Sequence, residues 1–247
     1  MAHRSRLHGL GWGYRLAVGV LVPLMRAIAA RDWRGVENLP REGGAVVVAN
    51  HVTYLDPLAA GHFVWQNGRV IRYLAKSGLW RNRLIGALLT SAGQIPVLRG
   101  GPDAARAYEA AVQAVRRGEV VMVFPEGTLT RDPDLWPMRG KSGAARIALE
   151  TGCPVIPLGQ WGAQEIMPRY SHWPRLWPRR TVSVWAGRPV NLDDLRGQPM
   201  DADLLQRATD RIMAALTTIV ADQRGEKPPA KPYDPRDHGV AETGRLP

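Results

Sequence analysis

From Gly43 to about Gly187, short apolar runs alternate with longer stretches in which apolar residues recur every three or four positions. The short runs predict strands at Ala45–Ala49, Val70–Ala75, Gln94–Leu98, Val120–Phe124, Pro154–Leu158 and Thr181–Ala186. The longer stretches predict helices over Pro57–Gln66, Arg81–Ser91, Pro102–Arg117 and Ser142–Thr151. The third is clearest, because Ala104, Tyr108, Ala111, Val112 and Val115 share one helical face and Gly118 closes it. Strands alternating with helices at this spacing predict a single α/β domain, a mainly parallel sheet covered on both faces by helices. A last amphipathic helix is expected over residues 201–222, carried by Leu204, Leu205, Ala208, Ile212, Leu216 and Ile219.

Both ends of the chain depart from this alternation. Residues 7–30 read as a mostly apolar helix, uncharged from Leu16 to Met25 and interrupted by Pro23. A buried core helix would look similar. Flanking arginines, with Trp12, Tyr14 and Trp33 near the ends, favour a helix that lies in a membrane interface without crossing it. Beyond Asp222 the chain is polar and carries Pro228, Pro229, Pro232 and Pro235, the composition of a disordered tail. The expected organisation is a membrane-associating helical segment at 1–34, the α/β domain at 35–222 and a tail at 223–247.

Composition sharpens the picture in three ways. The chain of 247 residues is 45% hydrophobic, enough for one large core, yet no run reaches the ~18 uninterrupted apolar residues of a spanning helix. The single cysteine, Cys153, excludes a disulfide framework within the chain and a multi-cysteine zinc site, and fits a reducing compartment. No signal peptide is expected, since Arg26 and Arg31 interrupt the place where a cleavage site would fall. The net charge of +11 is clustered: residues 1–41 and 165–188 hold most of the excess. In the second cluster arginines alternate with Trp173 and Trp177 in a proline-rich loop, 167–180. That combination suits anionic headgroups; it would also suit single-stranded nucleic acid.

The chemistry is concentrated at two places. His51 and Asp56 lie five apart just past the run Ala45–Ala49, where a strand end meets a turn. There an aspartate can hold one ring nitrogen of a histidine and leave the other free as a general base. An isolated histidine of this kind is more often structural. About 75 residues on, the segment Phe124-Pro125-Glu126-Gly127-Thr128 follows a second apolar run, although Pro-Glu-Gly alone is ordinary turn chemistry. The chain has no Gly-x-Ser-x-Gly elbow, and no histidine pair has metal-ligand spacing with a third ligand, so neither a covalent nucleophile nor a metal is expected. Gly140-Lys141-Ser142 imitates the end of a P-loop, but Leu135 stands where that motif requires glycine.

Taken together, the His51-x4-Asp56 and Phe124–Thr128 elements resemble those of the glycerolipid acyltransferase superfamily, the lysophosphatidate acyltransferase type in particular, over residues 35–190. The resemblance implies acyl transfer from a thioester to an alcohol, with His51 as base and Asp56 as its orienter. It further implies that Glu126, Gly127 and Thr128 bind and position the acceptor. Gly93, Ile95 and Arg99 resemble the superfamily's second motif, which gives Arg99 a phosphate contact. Arg131 is assigned a phosphate contact as well, although relatives often place a basic residue directly after the threonine and Leu129 stands there here. Val155-Ile156-Pro157 resembles a fourth block. Lys76 and Lys141, two of only four lysines, fall where a phosphate would sit. Leu79, Leu84, Ile85, Leu88 and Leu89 are candidates for an acyl groove or simply for core.

No cofactor is implied; acyl-CoA or acyl-ACP (acyl carrier protein) would be the co-substrate. The expected partners are anionic membrane lipids and glycerol 3-phosphate or lysophosphatidate, with no nucleic acid. The expected location is the cytoplasmic side of the plasma membrane, peripheral or monotopic. Two alternatives stay open: a remodelling acyltransferase with another lysophospholipid or a glycolipid as acceptor, and a non-catalytic basic module that binds membranes or nucleic acid.

Overall fold

The computed structural model describes residues 9–97 and 102–241. Helix α1 (Trp12–Ile28) leads directly into strand β1 (Ala29–Arg34). Then come β2 (Ala45–Ala49), α2 (Asp56–Gln66), β3 (Ile71–Lys76), α3 (Arg83–Ser91), β4 (Ile95–Val97), α4 (Pro102–Arg116) and β5 (Val120–Val123). The chain continues through α5 (Gly143–Thr151), β6 (Val155–Trp161), the short α6 (Ala163–Ile166), β7 (Arg180–Ala186) and α7 (Ala202–Arg224). The strands form one sheet in the order β1-β7-β6-β2-β5-β3-β4. All neighbours run parallel except β6 and β7.

β2 lies at the centre, and all five of its residues are buried. Alternate side chains serve opposite faces, as the pleat requires. Val46 and Val48 join Val121 and Val123 in a core closed by α4, α5 and α7. Ala45, Val47 and Ala49 join Val120 and Met122 in a second core under α2, with Phe63 and Val64 fully enclosed. A central parallel strand buried on both sides reads as a continuous apolar run, which is why the sequence places it to the residue.

The two ends differ from expectation. The sheet begins at Ala29, so the expected domain boundary at residue 34 cuts off an edge strand: β1 pairs with β7 in register from Ala29–Arg180 to Arg34–Trp185. Of the three aromatic residues expected at a membrane interface, only Trp12 is well exposed. Tyr14 is buried and its hydroxyl accepts a hydrogen bond from Ile71 N, while Trp33 packs edge-on against His62 and Phe63. The start of α1 presses backbone to backbone on the end of α3, where a Cβ at Gly13 would come within 2.3 Å of Leu88 O.

The expected disordered tail is tied down at Tyr233 and Asp234. Arg139 N donates to Tyr233 O, and the Arg139 guanidinium bonds the Asp234 carboxylate at 3.1 Å. Its prolines keep it out of a regular α-helix without removing these long-range partners.

Candidate active site

The topology brings the two motifs together. β2 and β5 are parallel neighbours with Val48 opposite Val123. His51 and Glu126 each lie three residues beyond that pair, so both emerge at the carboxyl ends of adjacent strands, where open α/β sheets carry their sites. Glu126 then bridges the motifs. One carboxylate oxygen accepts His51 N at 3.0 Å and the other accepts Met138 N at 3.1 Å. Thr130 N donates to His51 O at 2.6 Å, so the histidine backbone is held on both its polar groups by Glu126 and by Thr130, two residues past Thr128. On the other side, Asn50 and Gln160 exchange three hydrogen bonds between β2 and β6.

His51 and Asp56 are paired through the turn that opens α2. Asp56 Oδ2 accepts Val52 N at 2.5 Å, Thr53 N at 2.8 Å and the His51 Nδ1–H at 3.0 Å. The carboxylate is 2% exposed and the histidine side chain 17%. An ionised aspartate only accepts hydrogen bonds, so the bond fixes the Nδ1–H tautomer and leaves Nε2 with its lone pair. Phe124 stacks on the ring at 4.3 Å between centroids and restricts its rotation.

His51 lines a cavity of about 1150 Å³. Most of the wall is apolar, supplied by α1 (Ala17, Val18, Leu21, Val22), α2 (Leu58, Trp65) and α3 (Leu88, Leu89). Two cations, Lys76 and Lys141, and the turn residues Gly127 and Thr128 complete it. Gly143, the first residue of α5, also faces the cavity and adds the positive end of a helix.

The expected site residues therefore divide. His51, Gly127, Thr128, Lys76 and Lys141 line one cavity, and Asp56 stands directly behind His51. Gly127 has φ +71°, the left-handed region, so its backbone conformation calls for glycine even though a Cβ there would meet Lys141 only at 3.6 Å. Glu126, expected to position the acceptor, is not among the residues that line the cavity. It is 2% exposed with both oxygens occupied by backbone N–H groups. Burial pushes its carboxyl up to about 8, against the Met138 and His51 amides, which favour the ionised form. Arg131, expected at a phosphate, is 3% exposed and is not among the residues that line the cavity. Arg99 lies outside the described residues.

Of the candidate groove residues, Leu79, Leu88 and Leu89 line the cavity, whereas Leu84 and Ile85 face outward. Sequence reasoning missed Asn50, Gln160 and Thr130, whose partners are distant in the chain. It also missed Tyr14 as a cavity wall, having placed it in the headgroup layer. Among the described residues no three His, Cys, Asp or Glu side chains converge in a way that would hold a metal.

A family model described as Acyltransferase matches residues 31–161, just over half of the chain. The chain belongs to the acyltransferase family. The match starts inside β1 and ends with β6, and so spans His51, Asp56, Lys76, Gly127, Thr128 and Lys141 but not the part of the cavity wall that α1 supplies. A chloroplastic 1-acyl-sn-glycerol-3-phosphate acyltransferase of Brassica napus is 33% identical over 139 residues, covering 56% of this chain and 39% of the relative. A Bacillus subtilis protein of the same name is 29% identical over 165 residues, covering 66% of this chain and 75% of the relative. The chain thus spans less than half the length of the chloroplastic relatives it matches. The crystal structure of PlsC, the 1-acyl-sn-glycerophosphate acyltransferase of Thermotoga maritima, shares the fold. Its TM-score is 0.64 at 21% identity, with 87% of this chain and 83% of that chain covered. The acyltransferase resemblance read from the two motifs is borne out, and so is the mainly parallel α/β sheet.

Proposed function

We propose that this acyltransferase moves a fatty acyl group from acyl-CoA or acyl-ACP to the free hydroxyl of lysophosphatidate. The observation that carries this reading is the His51–Asp56 pair in the wall of a large apolar cavity that also holds Lys76 and Lys141. Such a site suits an acceptor with one long apolar chain and one phosphate. The names of the relatives, which specify a 1-acyl-glycerol phosphate acceptor, support the same choice.

In this reading His51 Nε2 takes the proton of the acceptor hydroxyl as its oxygen attacks the thioester carbonyl. The tetrahedral adduct collapses, the carbon–sulfur bond breaks, and the imidazolium returns the proton to the departing thiolate. Asp56 stabilises the imidazolium while it exists. Glu126 takes no part in proton transfer and acts as a positioning residue, holding the His51 backbone. Lys76, Lys141 and the α5 N-terminus bind phosphate.

The protein would work peripherally, at the membrane face that acyl thioesters reach. No described helix is long and apolar enough to cross a membrane. Yet Trp12, Leu16, Val20 and Leu24 form an exposed apolar stripe at four-residue spacing along α1, and Leu84 and Ile85 are exposed on α3, which packs beside it. An apolar stripe next to an apolar cavity suits entry of a lipid acceptor from the bilayer.

The test is thiol release from palmitoyl-CoA, with lysophosphatidate, glycerol 3-phosphate and lysophosphatidylcholine offered separately. Release that depends on lysophosphatidate is expected. Preference for glycerol 3-phosphate would move the enzyme one acylation earlier, and preference for lysophosphatidylcholine would make it a remodelling enzyme.

A further inference from the structure

The loop between α6 and β7 holds the most exposed tryptophans in the described chain: Trp173 is 85% and Trp177 87% exposed, with Leu176 at 53%. Large rings in water are informative when they cluster and when the backbone beneath them is fixed. Both conditions hold. Ser171 N donates to Pro168 O, Ser171 Oγ and Trp173 bond each other through the backbone, and Arg175 N donates to Ile166 O at 2.6 Å. Arg179 anchors the far end of the loop to the junction of α1 and β1, donating to Arg26 O at 2.7 Å and Ala29 O at 2.9 Å. The rings are therefore held outward by a tied loop.

The same loop reaches the cavity. Tyr170 lines it from a left-handed backbone conformation, φ +63°. The preceding Arg169 fixes that turn to the segment just after Phe124–Thr128 by donating to Thr130 O and Asp132 O. His172 stacks face to face on Tyr54, a second cavity residue, at 5.3 Å. The charge is one-sided. Between residues 165 and 180 the chain carries Arg169, Arg175, Arg179 and Arg180 against Glu165 alone, which pairs with Arg180.

We propose that the Trp173–Trp177 loop is a membrane-inserting element that seats the rim of the cavity against an anionic bilayer. It is a contact separate from the α1 stripe and tied to it through Arg179. Tryptophan rings occupy the headgroup layer because one edge is apolar and the indole N–H is polar, and neighbouring arginines meet the phosphates outside them. A nucleic acid could also use stacking and cations, but the loop joins an apolar cavity wall and an exposed apolar helix, which a bilayer matches and a polyanion does not. The proposal concerns where the chain rests. It stands or falls without the reaction proposed above, because binding is measured with no substrate present.

The experiment is co-flotation of the full chain with phosphatidylcholine vesicles, with and without phosphatidylglycerol, comparing the native chain with Trp173→Ser/Trp177→Ser. Both positions are exposed, so the double variant should keep the native melting midpoint. The native chain should prefer the anionic vesicles, and the double variant should bind them about tenfold or more weakly. Lipids brominated near the headgroup should quench fluorescence of the native chain more than that of the double variant. Equal partitioning of the two proteins would overturn the proposal, as would equal binding of the native chain to neutral and anionic vesicles. Binding of a single-stranded oligonucleotide in place of vesicles would assign the loop to nucleic acid. A native dimer that the double variant loses would assign it to a second copy of the chain. Either result also overturns the proposal.

Discussion

Replacing Asp56 by asparagine separates the charge of the His51–Asp56 pair from its geometry. In the native chain one oxygen, Asp56 Oδ2, takes bonds from Val52 N, Thr53 N and the His51 ring. An asparagine carbonyl oxygen in the same place still accepts all three, so the turn into α2 is kept. What disappears is the negative charge behind the ring. With charge centres about 4 Å apart and an effective dielectric near 20, the attraction between carboxylate and imidazolium is about 4 kcal/mol. It exists only once His51 has taken the proton, so it lowers the transition state more than the resting enzyme. At about 1.4 kcal/mol per tenfold, kcat should fall by roughly three orders of magnitude. The KM for the acceptor should stay within about threefold. Stability should change little, since losing one charge from the first turn of a helix costs about 0.3–1 kcal/mol. The assay is initial-rate thiol release at saturating acyl-CoA with varied lysophosphatidate, with thermal melting of the same preparation. A well-folded Asp56→Asn enzyme within about tenfold of native kcat would refute the role of the charge.

Three further outcomes follow from the geometry. Glu126 holds its proton in the fold up to about pH 8, whereas an unfolded chain releases it near 4.5. Its contribution to stability is therefore fullest below about pH 4.5 and lost as pH rises towards 8. Urea unfolding at about pH 6 and about pH 8 should show this loss in the native chain and a flatter response in Glu126→Gln, despite that variant's lower stability; parallel responses would contradict the burial argument. Lys141→Ala and Lys76→Ala should each raise the KM for lysophosphatidate by about tenfold with a smaller effect on kcat, measured by the same thiol assay. An unchanged KM in both would remove these cations from the phosphate site. Val18→Phe narrows the apolar part of the cavity and should shift preference towards lysophosphatidates with shorter acyl chains in competition assays, whereas an unaltered preference would place the acceptor chain elsewhere.

The legible parts of this sequence were those set by local pattern. β2 and β5 are buried on both faces and read as unbroken apolar runs, so the positions of His51 and Phe124 at strand ends followed directly. Asp56 was legible because it lies five residues from its partner. What escaped depended on contacts between distant segments. β1, Ala29–Arg34, lacks β-branched residues, and its pairing partner lies about 150 residues away at Arg180–Trp185. The enclosure of Glu126 could not be read from a Pro-Glu-Gly turn, which by local chemistry belongs on a surface. Its partners are the amides of His51 and Met138, and only the parallel register of β2 and β5 brings the first of them within reach. Arg131 looked like a phosphate ligand for a related reason: its charge is visible in the sequence, its 3% exposure is not.

The central claim is that His51, held by Asp56, is the base for acyl transfer inside the apolar cavity. The most direct measurement is acceptor-dependent thiol release from palmitoyl-CoA by the native chain and by His51→Ala, with lysophosphatidate supplied in mixed micelles. Release should need the acceptor in the native chain and fall by about three or more orders of magnitude in the variant, with melting unchanged within a few degrees. Near-native release by a folded His51→Ala protein would contradict the claim.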